Sequence, residues 1–258
     1  MYPEKEFPYK EISGTSVVYL LVQAIKNEVG MEIDPLEGLD LVALSTVTDI
    51  MPLQGVNRVL VKLGLEEIRK GQRLGLRMLA LRAGIDPSDI DTYHLGYILG
   101  PRINAAGRIA SPMDAVRLLV SKDEKQCKEI SNILENTNFE RQRMTSQILE
   151  EAMDMIKDSK DNLIFILASN WHEGIIGLVA GKLQEQFYKP VIVATNNEGI
   201  IKASARSIKG FNITKALEKF NKYLDRYGGH ELAAGFTMKE NAVDEFRKKL
   251  IKYSNEKI

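Results

Sequence analysis

The feature that most constrains this chain is one long helical pattern, from Ser121 to about Lys157, with a different sequence grammar on each side. Apolar residues recur through it at Cys127, Ile130, Ile133, Leu134, Met144, Ile148, Ala152 and Met155, the spacing of one helix face. At about 1.5 Å per residue such a helix spans roughly 55 Å, more than one ordinary domain needs. Ser121 and Glu124 are spaced as a capping box at its start. The polar stretch Asn136–Arg143 is the place for a kink. An ordinary surface helix would fit this pattern. A bridge between two domains fits better, because the pattern after it changes to α/β.

Before the bridge, residues 1–12 hold aromatics, prolines and charges without a period and read as a linker or a cut end. Ser13–Gly30 predicts a helix with Val17, Leu20, Leu21, Ala24 and Ile25 on one face and Gly30 as its stop. Leu36–Val47 is almost wholly apolar and predicts a buried element, helix or strand by pattern and helix by its length, followed by Asp49 and Pro52. Residues 56–83 read as helical and basic, with seven Lys or Arg against two Glu, before the breakers Gly84 and Pro87.

After the bridge, strands are expected at Leu163–Ala168, Pro190–Ala194 and Ile200–Ala205, with an edge strand at Phe236–Met238. Helices are expected at Gly174–Phe187, Thr214–Tyr223 and Asn241–Tyr253. Alternating strands and helices predict a helix-covered sheet.

Composition narrows function by exclusion. Of 258 residues 44% are hydrophobic and 27% charged, which excludes a disordered chain. No apolar run approaches the length of a bilayer span, and the first residues hold no signal-peptide core. A single cysteine, Cys127, suits a reducing, cytoplasmic setting. Thirty-five bases balance 35 acids, but a zero sum says nothing about where the charges lie.

Three glycine-bearing segments are candidates for chemistry. Gly100-Pro-Arg-Ile-Asn-Ala-Ala-Gly-Arg108 sets Arg102, Asn104 and Arg108 beside flexible backbone. Guanidinium forks match phosphate oxygens, although a tight turn with solvated arginines reads equally well. Trp171-His-Glu-Gly174 falls between a strand and a helix, where anionic ligands often bind, and offers His172. Tyr227-Gly-Gly-His-Glu-Leu-Ala-Ala-Gly235 offers Gly229 and His230 on a backbone that a ligand can approach, or else a tight turn. Residues 199–217 carry Lys202, Arg206, Lys209 and Lys215 with no acid, a plausible contact for phosphates. Metal ligands are sparse: three histidines, no Asp-His-His and no close Asp-x-Asp, with Asp49 the best-placed carboxylate.

Taken in order, these segments resemble the RecJ family of single-stranded-DNA-specific exonucleases in the DHH phosphoesterase superfamily. Tyr9–Gly14, Leu41–Arg58, Gly100–Arg108, Trp171–Gly174, Ala203–Gly210 and Gly228–Gly235 carry the resemblance. It implies an α/β protein in three parts: the end of a DHH catalytic domain over 1–120, a connecting helix over 121–158 and a DHH-associated domain over 159–258. It implies 5′→3′ hydrolysis of single-stranded DNA with Mn²⁺ or Mg²⁺, in DNA repair and recombination. Asp49 would be a metal ligand, and Arg102, Asn104 and Arg108 would shape the strand's path. His172, Arg206, Ser207, Gly229 and His230 would face DNA. The family's Asp-x-Asp and Asp-His-His motifs lie before the matched region, so the chain alone is expected to be inactive and residues 1–110 to expose apolar surface. The alternatives are another DHH-type phosphoesterase acting on short oligonucleotides or cyclic dinucleotides, and a non-catalytic nucleic-acid-binding module.

Overall fold

The structure is a computed structural model that describes residues 9–32, 34–156 and 161–258. The chain forms two compact units, residues 1–138 and 139–258. The boundary falls inside the long helix, so each unit owns part of it.

The first unit is helical: α1 (Gly14–Val29), α2 (Leu39–Thr48), α3 (Gly55–Arg69), α4 (Leu74–Arg82), a π-helical turn (His94–Leu99), α5 (Gly100–Ile109), α6 (Pro112–Val120) and the start of α7 (Glu124–Ile156). The basic stretch expected as one helical region is two helices, because the chain turns at Gly71 with φ 67°. Its core joins Ala43 and Leu44 of α2 to Leu79, Leu95, Leu99, Leu118 and the α7 residues Cys127 and Leu134. Close helix approach needs glycine here. A Cβ on Gly64 would fall 2.2 Å from Leu39 O, and one on Gly75 would fall 1.9 Å from Leu118 O.

Helix α1 begins and ends as its sequence predicts, with Ser13 accepting from Ser16 N–H and Gly30 left-handed at the stop. Ser13 and Ser16 are the buried residues, and their hydroxyls hydrogen-bond with Ser45 and Thr46 of α2 (2.7 Å for Ser13–Ser45, 3.3 Å for Ser16–Thr46). Small hydroxyl residues let the two helices approach while satisfying one another's polar groups. The apolar stripe therefore faces outward, with Val17, Leu21 and Ile25 each about half exposed. An apolar face of this kind marks a contact surface.

Helix α7 is assigned without interruption through Asn136–Arg143. The capping box is corrected. Gln126 N–H donates to Asp123 Oδ1 at 3.1 Å, so Asp123 caps the helix. Ser121 lies two residues too far out: its hydroxyl donates to the Gln126 side chain and accepts from Asp123 N–H. Lys157, where the sequence pattern ends, lies outside the described residues.

The second unit is a five-stranded sheet of order β1-β2-β3-β5-β4: β1 (Ile164–Ser169), β2 (Val191–Asn197), β3 (Ile200–Arg206), β4 (Arg226–His230) and β5 (Ala233–Lys239). β1 and β2 pair in parallel across α8 (Glu173–Phe187); the other pairs are antiparallel. The near-continuous apolar runs of β1 and β2 are those of strands buried on both faces. α9 (Ile213–Lys219) and α10 (Val243–Lys257) cover one sheet face, where Phe246 meets Phe165 and Phe236 edge-on. The helix expected to reach Tyr223 stops at Lys219 and gives way to a short 3₁₀ turn.

Two sequence expectations fail in this sheet. The segment 236–238 is not an edge strand: β5 lies inside, between β3 and β4. The edge is β4, which contains the two glycines expected in a loop. Low strand propensity hid it, since glycine contributes no side chain to a strand pattern.

Candidate nucleic-acid interface

Strand register builds the site. Residues directly opposite in an antiparallel pair share a sheet face. Three rows therefore cross β3, β5 and β4 on one face: Lys202–Thr237–Arg226, Ser204–Gly235–Gly228 and Arg206–Ala233–His230. Helix α8 packs on this same face, since a Cβ on Gly177 would sit 3.1 Å from Ser204 Oγ and 3.7 Å from Arg206 Nη2. α9 and α10 lie on the other face. The β5–β4 half of the α8 face is thus a trough. Its floor is Gly228, Ala233 and Gly235, and its walls carry Lys202, Arg206, Arg226 and His230. All of β4 is exposed, and Lys202 and Arg206 are partly so.

The two glycines of β4 do different things. Gly229 has φ 153°, and a Cβ there would fall 2.3 Å from Ala233 O and 2.5 Å from Ala234 Cα. It is glycine so that β4 can close on β5. A Cβ on Gly228 would meet nothing within 4 Å, so its bareness keeps the floor open.

His172 stands at the N-terminus of α8, where its Nδ1 accepts from Gly174 N–H at 3.1 Å. The ring therefore holds the helix start and turns its Nε2 edge away from the cap. Glu173 pairs with Lys202, which joins that helix end to the first cationic row. Trp171, almost fully buried, donates from Nε1 to Glu151 Oε2 at 2.7 Å. Hydrogen bonds from Trp171 and then Gln147 hold the Glu151 carboxyl below its ordinary range. Arg206 donates from Nη1 to Ala205 O at 2.9 Å and Ser204 Oγ at 3.3 Å, which lays its guanidinium along the face.

The structure thus brings together Arg206, His230 and Gly229's neighbour Gly228, with His172 at the adjoining helix end. It does not bring Ser207 to the trough. Ser207 is 5% exposed and its hydroxyl donates to Phe211 O at 2.6 Å. The hydroxyl on the face is that of Ser204. Arg226 and Thr237 were missed in the sequence because only the register places them beside Lys202. Alternation along a charged strand was the available signal, and the glycines interrupted it.

In the first unit, Gly100–Arg108 is helix rather than turn. Gly100 lets α5 meet α2 closely: a Cβ there would fall 2.4 Å from Thr48 Cγ2. Arg102 faces α7, where Nη2 donates to Glu135 Oε1 at 3.1 Å and Nη1 donates to Ile98 O at 2.8 Å. Asn104 and Arg108 lie one turn apart on an exposed face of α5. Asp49, also exposed, ends α2 one residue beyond that Thr48 contact. The next residue, Ile50, is left-handed at φ 57° and 88% exposed. Among the described residues no group of three or more His, Cys, Asp or Glu gathers to hold a metal ion. These residues do not make a metal centre by themselves.

Residues 130–256 match the DHHA1 domain family, so the second unit carries a DHH-associated domain. The single-stranded-DNA-specific exonuclease RecJ of Bacillus subtilis is 38% identical over 252 residues, covering 96% of this chain and 31% of that protein. RecJ from Thermus thermophilus, solved in complex with Mg²⁺, superposes with a TM-score of 0.89 at 32% identity, covering 98% of this chain and 39% of that one. Its Mn²⁺ complex gives 0.87 at the same identity, covering 98% and 37%. The chain is similar in sequence and fold to part of RecJ. It spans about a third of the Bacillus relative's length.

Proposed function

We propose that this chain is the strand-holding part of a metal-dependent exonuclease that degrades single-stranded DNA from 5′ to 3′ in DNA repair and recombination, in the cytoplasm. The observation that carries the reading is the trough: cationic or imidazole side chains line both of its walls, Lys202 with Arg226 and Arg206 with His230, around a floor without bulk. Cationic walls take phosphates by releasing counterions, and a bare floor lets the sugar–phosphate backbone approach. The amide dipoles at the start of α8 favour an anion beside His172.

In this reading, residues 159–258 hold DNA, residues 121–158 join the parts, and residues 1–120 belong to a catalytic domain. Asp49 would be one metal ligand, and the metal would activate water and neutralise the phosphodiester's charge. Asn104 and Arg108 offer polar groups to the strand from α5. Arg102 acts as a positioning residue that fixes α5 on α7 through Glu135. The chain alone would bind but not cut, because two-metal hydrolysis needs a ligand cluster that the described residues do not make. Among them, too, no helix is long and apolar enough to cross a membrane.

The test is binding of the purified chain to a fluorescent single-stranded oligonucleotide over a range of salt. Affinity is expected to fall with salt, and each of Arg206→Ala and Arg226→Ala to lower the logarithmic slope by about 0.7. Binding indifferent to salt and to both substitutions would refute the trough. Digestion of a 5′-labelled strand with Mn²⁺ or Mg²⁺ would refute the inactivity of the chain alone.

A further inference from the structure

The basic stretch 56–83 is not used by the trough, yet the fold gives part of it a definite shape. Helix α3 and the segment around Thr92 enclose a groove of about 460 Å³. Arg58, Lys62 and Arg69 line it against one acid, Glu66, above an apolar floor that includes Val61 and Leu65. Arg58 and Lys62 are exposed and have no ion-pair partner among the described residues. Arg69 donates from Nε to Ile90 O at 2.9 Å, which fixes the two walls to each other.

The residue after Thr92 begins an aromatic platform. Tyr93 and Tyr97 stack with centroids 5.2 Å apart and planes 29° apart, and are 59% and 74% exposed. The turn beneath them is held: His94 N–H donates to Asp91 Oδ1 at 3.0 Å, and Asp91 N–H donates to His94 Nδ1 at 3.2 Å. Tyr97 lies within the π-helical turn, a rare geometry frequent at functional sites. Two tyrosines that needed only burial would turn their rings inward. These keep a π face in water, beside a cationic groove.

We propose that this groove and the Tyr93–Tyr97 platform form a second binding site for single-stranded nucleic acid, with phosphates along Arg58 and Lys62 and a base stacked on Tyr97. Stacking platforms next to cationic grooves are how proteins hold single strands without reading sequence. The proposal takes its substrate class from the function proposed above, but it rests on different residues in the other unit.

The experiment uses the full chain, an oligothymidylate and an abasic strand of equal length. Tyr97→Ala should weaken oligothymidylate binding about tenfold and leave abasic binding nearly unchanged, and Tyr97→Phe should restore it. Arg58→Glu with Lys62→Glu should weaken both strands and lower the salt slope by about 1.4. A 5-iodouracil strand, irradiated in the complex, should leave its adduct on the peptide carrying Tyr93 and Tyr97. Exposed positions make unchanged thermal melts the control for folding. Adducts confined to residues 200–235, with binding unaffected by the groove variants, would overturn the second site and leave the trough standing. Loss of binding in the groove variants alone, with Arg206→Ala and Arg226→Ala silent, would support the groove and refute the trough. Equal losses on abasic and thymidylate strands in Tyr97→Ala would overturn the platform.

Discussion

The indole N–H of Trp171 donates to Glu151 Oε2 at 2.7 Å, tying the loop that carries His172 to helix α7. The chain has one tryptophan, so its fluorescence reports on this position. Glu151 is held below its ordinary value of 4.5 by Trp171 and Gln147. A depressed carboxylate contributes stability that is complete above the ordinary value and is lost as pH falls through the lower, folded one. Trp171 emission should therefore shift below about pH 4.5 in the wild type, and Glu151→Gln should remove that step. A step of unchanged position in Glu151→Gln would assign it to another group.

Gly228 and Gly229 should separate folding from binding. Gly229→Ala places a methyl against Ala233 O and Ala234, so β4 must shift or detach, at a cost of about 2 kcal/mol or more. Gly228→Ala meets no neighbour, and is expected to leave the melt within about 0.5 kcal/mol while weakening oligonucleotide binding. Paired thermal melts and binding titrations check both. Equal destabilisation by the two substitutions would contradict the register.

Asp40 is almost fully buried, and Arg73 holds both its oxygens while donating from Nη1 to Leu119 O at 2.7 Å. Arg73→Ala leaves a buried carboxylate without its partner and should cost about 3 kcal/mol in urea unfolding. Arg73→Lys should recover only part of this, because an ammonium cannot span the two oxygens and the carbonyl. Full recovery by lysine would show that charge alone matters there.

Ile50 closes α2 in a left-handed conformation, with its N–H on Val47 O at 3.1 Å and Met51 N–H on Thr46 O at 3.0 Å. Glycine is the residue that takes this position without strain. Ile50 is 88% exposed, so Ile50→Gly loses almost no packing and should raise stability by about 1 kcal/mol. A fall in the denaturation midpoint would mean that the side chain has a contact that outweighs the strain. The strained turn adjoins Asp49, the candidate ligand, as strained backbone often does at working sites.

Most helices were legible because their signals are local: Ser13 and Gly30 bound α1, and the apolar periodicity of 121–157 carries through α7 without a break. The apolar runs of β1 and β2 were legible for the same reason. Packing direction was not. Nothing within residues 13–30 says that two serines, rather than Val17 and Leu21, meet α2; that follows from Ser45 and Thr46, some thirty residues on. The candidate site divides in the same way. Sequence alone determined which residues could bind an anion: Arg206, His172, His230 and the bare glycines. The register of β3, β5 and β4 decided which of them meet. It set Lys202 in line with Arg226, and Arg206 with His230, and it turned Ser207 inward. Strand pairing joins residues distant in the chain, and a one-residue slip would send each of these side chains to the other face. That choice is made by the packing of β5 on the helices beneath it, which no short stretch of sequence contains.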